Sequence, residues 1–189
     1  MQKPIVIVVV KHDDLKDYST SQLYSDYFSW FKPELEKVAH RKVRITMFPV
    51  GTYPSLSGFN YKHAEQEKTI REWWRLIEEL HITTVQNGGL EPSLAKILLL
   101  TRDNLNSKVA GIATVRSYAA IASITNYRTP AHEIGHMLGA THDDGAIEYD
   151  GWWRNSIMFG DDFSDFLGNT YRFTEKNRAN IRSYVDSFD

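Results

Sequence analysis

Residues 132–143 read His132-Glu133-Ile134-Gly135-His136-Met137-Leu138-Gly139-Ala140-Thr141-His142-Asp143. At about 100° per residue, His132 and His136 lie about 40° apart on one helical face, close enough for both imidazoles to hold one ion. Glu133 stands about 60° from His136 around the axis, so its carboxylate can reach a metal-bound water without being a ligand. Gly139 returns to within about 20° of the ligand face, where a side chain is expected to crowd the site. Its access to the left-handed conformation also lets the helix stop and brings His142 back as a third ligand. Thr129 is the expected N-cap, with Pro130 at the first helical position. Ile134, Met137 and Leu138 form the opposite, buried face. Three neutral imidazoles plus a water make a catalytic zinc site with one open position, whereas a structural site would use four protein ligands. At this chain's own His, Glu and Gly frequencies the pattern is expected by chance only about 3 × 10⁻⁵ times, which sets aside an amphipathic helix with solvated histidines.

Upstream, Ile5 to Val10 is apolar and β-branched without alternation, as in a strand covered on both faces at the centre of a sheet. Leu23, Tyr27, Phe31, Leu35 and Val38 recur at helical spacing, so about Thr20 to His40 forms one long helix, with Pro33 placed to kink or split it. Val43, Ile45 and Met47 alternate as a half-buried strand, and Pro49 to Gly58 is punctuated as a loop. Ile70, Trp73, Trp74, Ile77 and Leu80 define a second long helix, closed by a turn at Asn87-Gly88-Gly89. Lys96 to Thr101 and Val109 to Val115 read as two further strands, the latter carrying Gly111. This order implies an α/β fold, α+β by some schemes, with crossover helices and a mixed sheet. Downstream of the zinc helix come about thirty residues rich in Gly, Asp and aromatics. A last helix follows, with Thr174 as N-cap and Ile181, Tyr184, Val185 and Phe188 as its apolar face.

Composition narrows the functional classes. The 189 residues are 42% hydrophobic and 24% charged, with a net charge of -2, which is ordinary globular usage without the basic field a nucleic-acid binder needs. The longest apolar run, Ile5 to Val10, is far short of the roughly 18 residues of a membrane span, and it lacks the cleavage site of a signal peptide. Cysteine is absent, so any metal uses His, Asp or Glu. We expect one domain, residues 1–189, divided into an N-terminal part (1–139) and a C-terminal part (140–189).

The run from His132 to His142 resembles the metzincin clan of zinc endopeptidases, whose pattern is H-E-x-x-H-x-x-G-x-x-H followed by a methionine turn. Ser156-Ile157-Met158 stands where that turn is expected, and Met158 is similar to the methionine beneath the three imidazoles. Asp143 after the third histidine and Gly111-Ile112-Ala113 upstream look like the adamalysin or reprolysin type, although this chain has no disulfides. The resemblance implies a twisted mixed sheet with two long helices and a zinc-site helix, then a small irregular C-terminal part with one helix. It implies one catalytic Zn2+ on His132, His136 and His142. Glu133 is then the general base for hydrolysis of an internal peptide bond in a peptide or protein substrate. Gly111, Ile112, Ala113 and Thr114 would form a sheet edge beside the substrate backbone. It also favours a secreted or periplasmic location; the oligomeric state is left open by the sequence, with a monomer expected. Gly160, two beyond Met158, leaves no tyrosine there as a further ligand.

Two rival readings come from other classes. One is a catalytically silent zinc-containing peptide-binding module, and the other is a non-protein amide hydrolase on the same platform. His12, His40, His63 and His81 lack ligand spacing and are expected outside the site. Asp161, Asp162 and Asp165 leave calcium binding open, with a solvated acidic loop expected. Trp152 and Trp153 are expected to pack the C-terminal part against the helix.

Overall fold

The computed structural model describes residues 2–63, 65–149, 153–159 and 168–189, with Trp153 described by its backbone alone. Asp161, Asp162, Asp165, Gly160 and Trp152 lie outside the described residues, as does the side chain of Trp153.

Five strands form a mixed sheet. β1 (Ile5–Lys11) runs parallel to β2 (Val43–Phe48) on one side and to β3 (Ala95–Thr101) on the other. β5 (Ala119–Ser123) continues parallel to β3, and β4 (Gly111–Ala113) lies antiparallel at the edge, giving the order β2-β1-β3-β5-β4. All seven residues of β1 are buried, as its unbroken apolar run requires of a strand covered on both faces. Ile5, Ile7 and Val9 face one apolar cluster with Leu98, Leu100, Ala120 and Ala122, and Val6, Val8 and Val10 face another with Ile97, Leu99 and Ile121.

The first face is covered by four helices, α1 (Thr20–Tyr27), α2 (Phe31–Ala39), α5 (Thr129–Met137) and α6 (Glu175–Asp186). The second is covered by α4 (Gln66–Gly88) through Ile70, Trp73 and Ile77, and by Leu56 of the short α3 (Pro54–Ser57). The helix expected over about Thr20 to His40 is two helices, and the break falls before Pro33. Ser29 N–H bonds back to Tyr24 O, a wider turn that ends α1 and lets both Phe28 and Phe31 bury completely. Pro33 then sits in the first turn of α2, where a missing N–H costs nothing.

One strand of this sheet is not predicted by the sequence pattern. Ala119-Ala120-Ile121-Ala122-Ser123 has little β propensity, yet it forms β5 because small side chains let α5 approach the sheet closely. Past α5, β6 (Ile147–Tyr149), β7 (Trp153–Asn155) and β8 (Gly168–Asn169) add a small three-stranded sheet where only irregular chain was expected. Ile157, Met158, Phe173, Ile181 and Val185 from this C-terminal part join Phe31 and Ile134 in one apolar cluster, so the two parts share a core. Among the described residues no helix is long and apolar enough to cross a membrane.

Candidate metal centre

The site is built on α5, whose start lies one residue earlier than its sequence suggested. Arg128, not Thr129, is the N-cap, and Pro130 is the second helical residue. The cause is Asn126. Its side-chain oxygen accepts from Arg128 N–H at 2.9 Å and its carbonyl from Thr129 N–H at 3.0 Å, so the chain has already turned before Thr129.

The far end closes as a Schellman motif. Ala140 N–H donates to Gly135 O and Gly139 N–H to His136 O, both at 2.9 Å, around Gly139 at φ +99°. Gly139 is thus required for its backbone angle. A Cβ there would meet Arg116 Nε and Tyr184 Cβ at an ordinary 3.5 Å, so the expected crowding of the metal site does not arise. Asn177, fully buried on α6, then fixes the chain just before His142. Its amide oxygen accepts from Thr141 N–H at 2.8 Å and its amide nitrogen donates to Thr141 O at 3.0 Å.

This architecture brings the three histidines together. The Nε2 atoms of His132 and His142 are 2.8 Å apart, those of His136 and His142 3.0 Å, and those of His136 and His132 3.1 Å. On the other side of each ring, His132 Nδ1 lies 2.9 Å from Ile157 O and His136 Nδ1 lies 2.9 Å from Ala140 O. A carbonyl only accepts, so both Nδ1 atoms carry the proton and both Nε2 lone pairs point at the common centre. Burial is the main cause that brings His132 down to about 3 and His136 down to about 4, with neighbouring imidazoles adding to it. Both rings are therefore neutral near pH 7, in the ligating form. Converging lone pairs repel unless a cation lies among them. Nitrogens around one tetrahedral zinc stand about 3.3 Å apart, close to the separations here, so the donor set fits that ion.

Glu133 lies on the flank of the helix that faces β4. It is 5% exposed, and burial alone raises its carboxyl well above the ordinary range. Gly111 of β4 abuts it: an ideal Cβ on Gly111 would stand 2.5 Å from Glu133 Oε1 and 2.7 Å from its Cγ. Ile112 and Ala113 continue β4, whereas Thr114 begins a turn in which Ser117 N–H bonds Thr114 O at 3.2 Å. Arg116, held at φ 61°, donates its N–H to His136 O at 2.9 Å and so ties this turn to the last turn of α5.

The opposite flank belongs to Met158. Residues 156–159 form a turn, closed by Phe159 N–H on Ser156 O, in which Ile157 O reaches the His132 ring and Met158 is fully buried. A Cβ on Gly135 would meet Met158 Sδ at 2.6 Å, and one on Gly145 would meet Met158 O at 2.6 Å. Arg128 braces the same turn, donating to Ser156 O at 3.0 Å. The other histidines stay away from the centre: His12 bonds Phe59 O, His81 bonds Pro92 O and His63 pairs with Glu72. The sequence does not single out Ile157 O and Ala140 O, because backbone carbonyls leave no residue signature, nor Asn177, whose side-chain amide meets the Thr141 backbone from a helix 36 residues further on. Gly135, a glycine inside a short helix, was the one available signal that something packs there.

No protein-family model matches the chain, and no curated protein matches it. Solved structures do. Metalloproteinase-II from Bacteroides fragilis superimposes with a TM-score of 0.62 at 16% identity, over 96% of this chain and 52% of that one. A zinc-dependent peptidase from Methanocorpusculum labreanum superimposes with a TM-score of 0.51 at 18% identity, over 93% of this chain and 99% of that one. The chain thus spans about half the length of the Bacteroides protein and nearly all of the Methanocorpusculum one. Its mixed α/β fold resembles that of zinc metallopeptidases, and it contains a three-histidine group able to hold zinc.

Proposed function

We propose that the chain is a zinc-dependent endopeptidase of the metzincin type, with one zinc ion on His132, His136 and His142. The observation that carries this reading is the convergence of three imidazole Nε2 atoms within 3.1 Å of one another, with the Nδ1 atoms of His132 and His136 turned outward onto backbone carbonyls. Zinc bound there supplies Lewis-acid polarisation of a carbonyl and lowers the pKa of a water. Glu133 accepts the proton that the attacking water loses and delivers it to the amine nitrogen as the peptide bond breaks. Its buried position beside the histidines suits a group that must hold a proton between those two events.

The peptide lies along β4, whose outer edge has no partner strand among the described residues, so main-chain hydrogen bonds can align it with little regard to sequence. Met158 plays the part of the methionine turn, packing under the platform and not ligating. Asp143 and the Gly111-Ile112-Ala113 run favour an adamalysin-like variety held together by its core in place of disulfides. Residues 1–189 act as one monomeric catalytic domain on peptide or protein substrates.

A mixed peptide library, incubated with and without a chelator and read by mass spectrometry, tests the reading. Internal cleavages that vanish on chelation and return with zinc are expected. Glu133→Ala should keep zinc and lower turnover by about 10²–10⁴-fold, in kcat more than in KM. Parental turnover in that variant would sink the mechanism, and binding without cleavage across the library would favour the silent binding module.

A further inference from the structure

β4 does a second job besides presenting an edge. Gly111 pairs with Ala122 in the antiparallel register and does not have positive φ, so its backbone angle would accept any residue. Nothing in the local conformation calls for glycine. What excludes a larger residue is the Glu133 side chain, because three of its atoms, Oε1, Cγ and Cδ, stand 2.5, 2.7 and 2.9 Å from where a Cβ on Gly111 would be. Those distances are below any real carbon contact, and Glu133 is 5% exposed in a helix flank wedged between the sheet and the ligand face. The carboxylate occupies the volume of the missing side chain.

We propose that Gly111 is a positioning residue: the bare backbone of the edge strand is the seat that holds the Glu133 carboxylate beside the three-histidine centre. The proposal rests on the reading of Glu133 as the group that moves the proton, and it changes the meaning of Gly111. As part of a substrate-binding edge, Gly111 would act on the peptide and a Cβ would weaken binding. As a seat, it acts on Glu133, and a Cβ displaces the carboxylate while leaving the peptide edge and the histidines in place. Ile112, the next residue, points to the opposite face of the sheet among Leu99 and Ile121, so it has no part in the seat.

A double-substitution cycle separates these roles. In metal-free protein, Gly111→Ala should lower Tm by about 3–10 °C because it overpacks a buried site. The same substitution in a Glu133→Ala background should cost much less, since the clashing atoms are gone. Glu133→Asp, one methylene shorter, should restore most of the Tm lost in Gly111→Ala. Equal losses in all backgrounds would overturn the proposal. In zinc-loaded protein, Gly111→Ala should lower kcat at least 10-fold with KM and zinc content near parental values. A raised KM with unchanged kcat would also overturn it, returning Gly111 to a peptide-binding role. The stability cycle needs no turnover: if its coupling is present while the parental protein cleaves nothing, the seat stands and the peptidase reading is what fails.

Discussion

Gly135→Ala sets two physical effects of opposite sign against each other, and the structure decides the winner. Gly135 lies inside α5, where alanine is favoured over glycine by about 1 kcal/mol, so propensity alone predicts a more stable protein. Packing predicts the reverse. The new Cβ would stand 2.6 Å from Met158 Sδ and 2.9 Å from Phe173 Cε1, and each must retreat by about 1 Å to reach van der Waals distance. Met158 is 0% exposed, and Phe173 is 2% exposed with its ring edge-on to Phe31, so neither has free space behind it. Overpacking of this kind costs about 1–3 kcal/mol, and with two confined neighbours we take the upper half of that range. The net loss is about 1–2 kcal/mol, which for a chain of this length lowers Tm by about 2–8 °C. A second effect follows along the turn. Met158 is joined to Ile157, whose carbonyl fixes the His132 ring, so moving Met158 loosens that ring and zinc affinity should fall about 10-fold or more. Thermal unfolding of the metal-free protein and competition with a chromogenic chelator measure the two effects. A rise in Tm would refute the packing argument, because propensity would then have gone unopposed.

Three further outcomes are expected. His142→Ala removes the third nitrogen from the cluster and should weaken zinc retention severely while leaving the fold intact, since His142 is exposed; unchanged affinity in chelator competition would remove it from the ligand set. Met158→Leu keeps the volume against Gly135 and should cost less than about 1.5 kcal/mol with zinc binding preserved; loss of zinc in a folded variant would replace packing with direct ligation. Lys96, buried with its amine 2.7 Å from Ser117 O, is lowered by desolvation to about 7 from an ordinary 10.5. Between those values the unfolded chain holds a proton that the folded chain has released, so stability should rise from pH 7 to 9 in urea unfolding, and the slope should flatten in Lys96→Met.

How much of this molecule could be read from its residues depends on what kind of interaction each feature uses. The central strand, the two main amphipathic surfaces and the C-terminal helix were legible because hydrophobic periodicity records burial directly: Ile5 to Val10, Ile70 to Ile77 and Ile181 to Val185 are buried where their spacing put them. The convergence of His132, His136 and His142 was legible because the metal-ligand pattern restricts both residue type and spacing, and the turn at Gly139 and the pairing of Thr174 with Asn177 N–H at 3.2 Å follow from local rules. β5 was not legible. Its alanines carry no strand signal, and they are explained only by the helix that must fit against them, a partner whose position a one-dimensional pattern does not contain. The break between α1 and α2 was misplaced for a similar reason, since Phe28 and Phe31 are drawn to one core from different faces of what the spacing describes as a single helix.

The glycines show the same division more sharply. Gly139 and Gly89 adopt positive φ and close helices, a requirement of the backbone that a sequence rule anticipates. Gly111, Gly135 and Gly145 have no such angle, and each is demanded by space. Around α5 they follow an order: Gly135 admits Met158 on one flank, His132 and His136 occupy the middle, and Glu133 leans on Gly111 on the other. Gly145 admits the Met158 backbone from the segment that carries His142. An imidazole cluster this tight leaves each ring little freedom to relax, so its geometry depends on what packs directly against its flanks. Placing bare backbone at those contacts brings the Met158 turn and the edge strand closer to the helix than any side chain would permit. The tightness of the cluster therefore depends on residues with no side chain of their own, which is why the spacing of chemical groups in the sequence marks the histidines and passes over the glycines that seat their neighbours.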